Sequence, residues 1–329
     1  MRKVIIFDVM GNDNGVKNGV LAALEFIKKN IQYKIILVGD QAEIKKYCSE
    51  NEQLEIVHNP NVVNSLNKDL MNAHKEDNSM TQALKLLKED KGLAILSSGD
   101  SGKYLSSSIM LIKRLPNVSR PAFMSIIPTI EKDKKFLLLD EGANLNCTED
   151  YLIQWAKLGA AFSKSVLKVE NPKVSILNIG TEDYKGYEYH QKAHKLLKES
   201  NLKFEYNGFI ESRYLLNGLV DVVVADGYSG NITLKTLEGT VLSFSKLLKN
   251  KIHKNLWRKL CALLLKNVFK DVKEQLDYRN VGAAWILGLN KIVIKSHGSS
   301  DRKAYIGALN QIKLAIESNA LEEFKKTLE

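Results

Sequence analysis

Glycines, hydroxyls, amides and lysines recur in short clusters along this chain, each just after an apolar run. The densest is Leu219–Lys235, LVDVVVADGYSGNITLK. Val220, Val222, Val223, Val224 and Ala225, interrupted by Asp221, read as a strand buried on both faces. The strand ends on Asp226-Gly227, runs through Tyr228-Ser229-Gly230-Asn231 and enters a helix expected near Ile232. Open α/β sheets bind ligands at such carboxyl ends, where loops and helix N-termini present free N–H groups. An ordinary βα turn uses the same dipeptides, so the segment alone leaves both readings open.

Comparable clusters follow other apolar runs. Asp8 and Gly11 follow the first, and Ser98, Gly99, Ser101, Gly102 and Lys103 follow Leu93–Leu96. Asn144 lies in Asp140-Glu141-Gly142-Ala143-Asn144, Gly180 and Lys185 in Asn178–Gly186, and His297 and Ser299 before the last helical pattern. Together they would line a site for an anion and a polar substrate. Gly99–Lys103 lacks the G-x-x-x-x-G-K-[ST] spacing of ATP-hydrolysing loops, and Gly11–Gly15 is not GxGxxG, so no nicotinamide cofactor is indicated. His190 and His194 stand at i, i+4 without the Glu of HExxH and read as a surface helix face rather than a zinc site. Cys48, Cys147 and Cys261 have no metal-ligand spacing, and Cys147 reads as a small buried thiol rather than a nucleophile. No cofactor or metal is expected.

The elements that must position these clusters alternate. Strand-like runs are Val4–Phe7, Lys34–Val38, Leu93–Leu96, Phe136–Leu139, Val174–Ile179, Val220–Ala225 and Ile292–Lys295. Helical patterns are Val16–Lys29, Met80–Glu89, Glu149–Leu167, Tyr189–Ser200 and Arg302–Leu328. The alternation predicts an α/β fold, a mainly parallel sheet covered on both faces, as one αβα domain over residues 1–329. Leu237–Leu276 breaks it with a long helical stretch. Within that stretch Arg258, Lys259, Lys266 and Lys270 fall inside an arc of about 120° at 100° per residue. Trp257, Leu260, Leu263 and Leu264 belong to the apolar remainder. Such a helix suits a dimer interface or an anionic bilayer surface.

Composition bounds the rest. The net charge of +10 comes from 48 Lys+Arg against 38 Asp+Glu, and only seven of the cations are Arg. A diffuse Lys excess without a helix-turn-helix, zinc finger or aromatic sheet motif does not indicate nucleic acid. No run approaches the ~18 apolar residues of a transmembrane helix, and MRKVIIFDVMG reads as a first strand rather than a signal peptide. A reduced, intracellular protein is expected.

In order, the segments resemble the bacterial phosphate acyltransferase family of phospholipid synthesis (the PlsX family). The resemblance runs nearly end to end. It is carried by Asp8-Val9-Met10-Gly11-Asn12-Asp13, Asn78-Ser79-Met80, Arg120-Pro121-Ala122 with Pro128-Thr129, and Gly142-Ala143-Asn144. Asn178-Ile179-Gly180-Thr181-Glu182 with Lys185-Gly186, Asp226–Asn231, Leu234–Gly239 and His297-Gly298-Ser299-Ser300 complete it. It departs at Val9 and Asn12, at the Ser98–Lys103 loop, at Glu141 where valine is usual, and at Val281-Gly282-Ala283.

The resemblance implies a three-layer fold similar to phosphotransacetylases and isocitrate-dehydrogenase-like enzymes. It implies conversion of long-chain acyl-[acyl carrier protein] and inorganic phosphate to acyl phosphate and free carrier protein. It further implies a homodimer, peripheral contact of a helical hairpin (237–276) with the cytoplasmic membrane, and a downstream glycerol-3-phosphate acyltransferase. On that reaction Lys185 would neutralise phosphate and Asn231 would donate to the oxyanion, helped by N–H groups around Gly227–Gly230. His297 and Ser299 are further contacts, and Lys103 would offset Asp100. A phosphotransacetylase-like enzyme using acyl-coenzyme A and a non-catalytic membrane scaffold are the alternatives.

Overall fold

The computed structural model describes residues 2–63, 69–276 and 283–328, the side chains of Lys273 and Leu276 excepted. Val281 and Gly282, two of the departures noted above, lie outside the described residues. The strands are β1 (Lys3–Asp8), β2 (Tyr33–Gly39), β3 (Leu54–His58), β4 (Ala94–Ser97), β5 (Ala122–Pro128), β6 (Lys135–Leu139), β7 (Lys173–Leu177), β8 (Glu205–Ile210), β9 (Val222–Val224), β10 (Ala283–Leu287) and β11 (Ile292–Ser296). The helices are α1 (Lys17–Lys29), α2 (Gln41–Lys45), α3 (Ser79–Lys88), α4 (Ser101–Ile112), α5 (Glu149–Ser165), α6 (Glu188–Glu199), α7 (Gly227–Ile252), α8 (Leu256–Leu264), α9 (Lys266–Leu276), α10 (Arg302–Glu317) and α11 (Ala320–Leu328).

Among the described residues eleven strands join one sheet, in the order β3-β2-β1-β4-β11-β10-β5-β6-β9-β7-β8. On the two flanks the apolar runs read as parallel strands are indeed parallel to one another, β11 and β6 each on its outer side only. The centre is different. β10 is antiparallel to both β11 and β5, and β5 is antiparallel to β6. Strands β1 to β5 and β11 therefore run one way, and β6 to β10 the other. The carboxyl ends of β1, β4 and β11 gather at one edge of the sheet, and those of β6, β9 and β7 at the opposite edge. The clusters expected to converge are thus two groups.

Helices cover both faces, and among the described residues the core falls into three clusters, the largest of which is packed around large buried rings. Phe162 meets Trp285 edge-to-face at 4.9 Å, and Phe7 meets Tyr305 at 5.1 Å. The Trp285 indole N–H, which burial would otherwise leave unsatisfied, donates to Gln311 Oε1 at 2.6 Å.

Boundaries moved where local polar chemistry outweighed periodicity. Asp226 caps α7 by accepting from the Ser229 N–H at 2.9 Å, so the helix begins at Gly227 and not near Ile232. Ser98–Lys103 is not an open phosphate loop: Asp100 caps α4, accepting from the Lys103 N–H at 2.9 Å. The segment 256–270 is two helices broken at Leu265 rather than one. The last pattern is likewise interrupted, by Asn319 in the left-handed region at φ 53°. Among the described residues no helix is long and apolar enough to cross a membrane.

The seat of α7 against the loop after β6 tolerates almost no added volume. A Cβ on Gly230 would stand 1.9 Å from the Asp140 carbonyl oxygen. Gly230→Ala is expected to destabilise the fold by at least ~1–3 kcal/mol, the usual cost of overpacking a dense site. Urea unfolding checks this, and a wild-type midpoint would show that the helix is free to shift.

Candidate active site

At the first carboxyl edge, three loops interlock. Asp13 N–H donates to the Gly298 carbonyl at 2.8 Å, tying the loop after β1 to that after β11. Asn12 Nδ2 donates to the Ser300 carbonyl at 2.9 Å and to Tyr305 Oη at 2.7 Å, and Ser98 Oγ lies 2.5 Å from the same hydroxyl. Gly11, at φ +70°, places its backbone where a Cβ would meet Gly99 Cα at 3.0 Å. Only glycine suits both that backbone region and that approach. Asp8 is buried and accepts from Ser97 Oγ at 2.6 Å; burial, only partly offset by such hydrogen bonds, pushes its carboxyl up to about 6. Asp8, Gly11, Ser98 and Gly99 are therefore the frame of this edge.

Lys295 is the charge held in that frame. It is the charged residue of β11, 9% exposed, with Nζ donating to the Ser296 carbonyl and at 3.4 Å to the Ser98 carbonyl. Burial pulls its ammonium down to about 8, against the opposing pull of Asp100, Asp8 and Asp13. Lys103, by contrast, does not offset Asp100. Its side chain is buried and its Nζ is paired with Glu76 Oε1 at 2.5 Å.

Two adjoining cavities open beside Lys295. One of about 240 Å³ is lined by Ser101, Phe123, Ser125, Glu141, Gly142, Asn231, Lys235, Lys295 and His297, with Leu234, Ala284 and Ser296. The next, of about 380 Å³, shares Ser125, Leu234, Lys235, Ala284 and His297 and adds Glu238, Val241, Ser299 and Asp301 among others. They form a cleft over the central strands β5 and β10, with α7 as one wall. His297 Nε2 stands 3.8 Å from Glu238 Oε1. The cleft gathers Ser101, Asn231, His297 and Ser299 of the expected site residues. Gly102 lies beside it, in the first turn of α4. Lys235, Lys295, Glu141 and Glu238 were not expected there. A lysine inside the run IVIKS and a lysine one turn beyond Asn231 are the signals that could have found two of them.

At the opposite edge the expected groups are consumed by structure. Asp140 Oδ1 accepts from the Phe123 and Ala143 N–H groups at 2.9 and 3.1 Å, and Oδ2 accepts from Asn144 N and Nδ2 at 2.7 and 3.0 Å. Asn144 Nδ2 also donates to the Pro121 carbonyl. The N–H groups of Gly227, Ser229 and Gly230 donate to Asn144 O, Asp226 Oδ1 and Asp226 O. None of these three is left for an oxyanion. Asn231 Nδ2 donates to the Glu141 carbonyl at 2.8 Å, which orients the amide at the cleft wall.

A third cavity, of about 740 Å³, lies on this side, lined by Asn178, Gly186, Tyr187, His190, Asp226, Tyr228 and Ser229 among others. His190 and His194 do not form a surface face, since both are buried. His190 Nδ1 accepts the Tyr187 N–H at 3.3 Å, while its Nε2 stands 3.5 Å from Asp226 Oδ2, at the limit of hydrogen bonding. Burial opposes ionisation of Asp226, but the nearby His190 ring and the hydrogen bond from Ser229 outweigh it and hold the carboxyl at about 2. His194 contacts Tyr206 Oη at 2.8 Å and Asp183 Oδ1 at 3.1 Å. Burial pushes the Cys147 thiol up to about 12, so it is no ready nucleophile.

Lys185 belongs to this side. It precedes Gly186 of the third cavity, its ammonium lies over the Tyr184 ring at 5.5 Å, and Gly180 packs against its side chain. The chain does not bring Lys185 and Asn231 into one cavity. At 100° per residue, Tyr228, Ser229, Ile232 and Thr233 face the third cavity, and Asn231, Leu234, Lys235 and Glu238 face the cleft. The two expected partners flank opposite faces of α7.

A model of the family described as fatty acid synthesis protein matches residues 3–323. The chain is 54% identical over 327 residues to the phosphate acyltransferase of Mycoplasma mobile, covering 99% of this chain and 100% of the relative. It is 36% identical over 326 residues to that of Oceanobacillus iheyensis, covering 99% and 97%. A phosphotransacetylase from Streptococcus pyogenes has a similar structure, with a TM-score of 0.63 and 16% identity over 98% of this chain and 94% of that one. The likeness to the phosphotransacetylase extends to the fold.

If Lys295 supplies charge to a bound anion, affinity for phosphate falls as pH rises through about 8, where its ammonium is lost. Lys295→Met should weaken phosphate binding below pH 8 and make it less sensitive to pH there. Calorimetric titration with inorganic phosphate from pH 6.5 to 9.5 measures it. Equal affinities for the two proteins at pH 7 would remove Lys295 from the site.

Proposed function

Because the chain belongs to the fatty acid synthesis protein family, that of the phosphate acyltransferases of fatty acid and phospholipid synthesis, we propose that it converts acyl-[acyl carrier protein] and inorganic phosphate to acyl phosphate and free carrier protein. The observation that carries this reading is the cleft in which the buried Lys295 lines one small cavity with His297 and Asn231. Phosphate at neutral pH is partly dianionic and needs no covalent relay. One of its oxygens forms a bond to the thioester carbonyl carbon. The C–S bond breaks as the tetrahedral intermediate collapses, and the thiolate of the carrier's prosthetic arm leaves and takes up a proton.

In this reading Lys295 and His297 hold the phosphate, Ser101 and Ser299 supply neutral donors, and Lys235, paired with Glu238 Oε2 at 2.8 Å, closes the cleft wall. Asn231, at the cleft wall, is placed to contact the thioester oxygen. Positioned donors of this kind typically contribute ~10²–10³-fold each. Lys185, across α7, meets the extended acyl-carrier arm as it passes the helix, since a long flexible substrate can touch both faces. The whole chain acts as one catalytic unit, and α7 to α9 form the hairpin that contacts a second copy and an anionic membrane surface. Exposure supports that last role: α8 buries no residue, and Trp257, Leu260, Leu263 and Leu264 are 78%, 56%, 66% and 86% exposed. Arg258 and Lys259 on the same short helix suit an anionic surface.

Phosphate-dependent release of carrier-protein thiol from a long-chain acyl-carrier substrate tests the reaction. Lys185→Ala should raise the KM for the acyl-carrier substrate about tenfold or more with the fold intact, as loss of a hydrogen bond from a charged group does; a wild-type KM would exclude it from substrate contact. Release only from acyl-coenzyme A would replace the proposed donor. For the hairpin, Leu263→Glu with Leu264→Glu should abolish co-sedimentation with anionic vesicles without loss of thiol release. Undiminished sedimentation would end the membrane assignment.

A further inference from the structure

Glu141 is a carboxyl in a cleft built for anions, and its surroundings decide its state. It is 5% exposed, yet it lines the 240 Å³ cavity with Lys295, Lys235 and Asn231. Its Oε2 accepts from Ser125 Oγ at 2.7 Å, and its Oε1 has no hydrogen-bond partner among the described residues. An ionised carboxylate with one bare oxygen, buried beside a second carboxyl, is a costly arrangement. The charged groups around it are Asp140 on its own loop, Lys235 and Glu238 from α7, and Lys295 and His297 on the β11 side. Burial, with Asp140 and Glu238 adding to it against Ser125 and Lys235, holds the group well above the usual carboxylate range. Because Oε2 already accepts a hydrogen bond, a proton on this carboxyl falls to Oε1. That leaves a buried O–H donor with no acceptor in the protein.

We infer that Glu141 is a binding residue of the cleft, a neutral carboxylic acid whose Oε1–H donates to an oxygen of the bound phosphate. The inference rests on the phosphate reading above. A neutral acid adds a donor without adding charge, and it makes anion binding depend on the acid staying protonated. Once ionised, the same side chain repels the ligand that it held.

The test compares the wild type with Glu141→Gln and Glu141→Met, reading the KM for inorganic phosphate in thiol release and the thermal shift caused by inorganic phosphate alone. Gln keeps an acceptor for Ser125 and an N–H donor that cannot ionise. Met keeps the length and removes the donor. E141M should raise the KM for phosphate about tenfold or more, as loss of a hydrogen bond to a charged group does, and shrink the thermal shift. E141Q should match the wild type at low pH and bind phosphate more tightly than it at high pH, where only the acid ionises. E141M with wild-type KM and thermal shift would overturn the inference, as would E141Q no better than a folded E141M. Should E141M fail to fold, the wild type and E141Q decide alone, and a pH-independent ratio of their phosphate affinities overturns it. Absence of phosphate dependence in the wild type would instead remove the phosphate reading, and the inference with it.

Discussion

Asp140 holds four elements together, through its carboxyl and its main chain. Its side chain accepts from the Phe123 N–H at the start of β5 and from the Ala143 and Asn144 N–H groups of its own loop. Its main-chain N–H donates to Ala225 beyond β9, and its carbonyl lies beneath Gly230 of α7. Burial raises this carboxyl to about 6 even though several donors favour its charge, so desolvation is the larger effect. What compensates is position: with Asp140 in place, α7 can approach only through glycine, and its direction is set. The walls of the cleft follow from that direction.

From its seat α7 runs back over the sheet from one carboxyl edge toward the other. This is why one helix lines three cavities. The central inversion at β5 and β10 separates the Asp226–Asn178 edge from the Asp8–Ser98–His297 edge. A rise of 1.5 Å per residue carries α7 from Gly227 past Asn231 and Lys235 to Glu238 and Val241, beside His297 and Ser299. Beyond Gly239 nearly every residue is exposed, so the same helix that walls the cleft ends outside the packed body. The proposed chemistry and the proposed surface contact are joined by one rigid element.

Much of this was legible as local pattern. Strands buried on both faces, such as Ile5–Phe7 and Val222–Val224, have unbroken apolar runs, and no competing element explains them. Leu54–His58 and Glu205–Ile210 were not legible because they close the two edges of the sheet, where Glu55, Glu205 and Asn207 interrupt the run. Ala122–Pro128 and Ala283–Leu287 have strand composition, but only pairing partners reveal that they invert the sheet. The same inversion misled the reading of the site. Glycine-rich turns at Gly11, Gly142 and Gly227 look alike in sequence, and nothing local distinguishes the approach of a ligand from that of another chain segment. In the fold Gly11 receives Gly99, and Gly142 and Gly227 receive Asn231 and Asn144.

Charge at the cleft was the least legible part, because burial rather than residue type sets it. The chain has 41 lysines by the difference of 48 cations and seven arginines, and most of them say nothing about binding. Lys295 differs from the rest because its ammonium is desolvated and its electrostatic reach is therefore long. Of the carboxyls that act on it, Asp8 and Asp100 are engaged by Ser97 and by the start of α4. A lysine so placed has its positive charge only partly answered by the protein, and the remaining attraction is available to an anion of small size. Lys103 illustrates the opposite case: equally buried, it is matched by Glu76 and has little left to offer a ligand. Two lysines in similar burial thus have opposite uses, and the deciding difference is whether a carboxylate stands within hydrogen-bond reach.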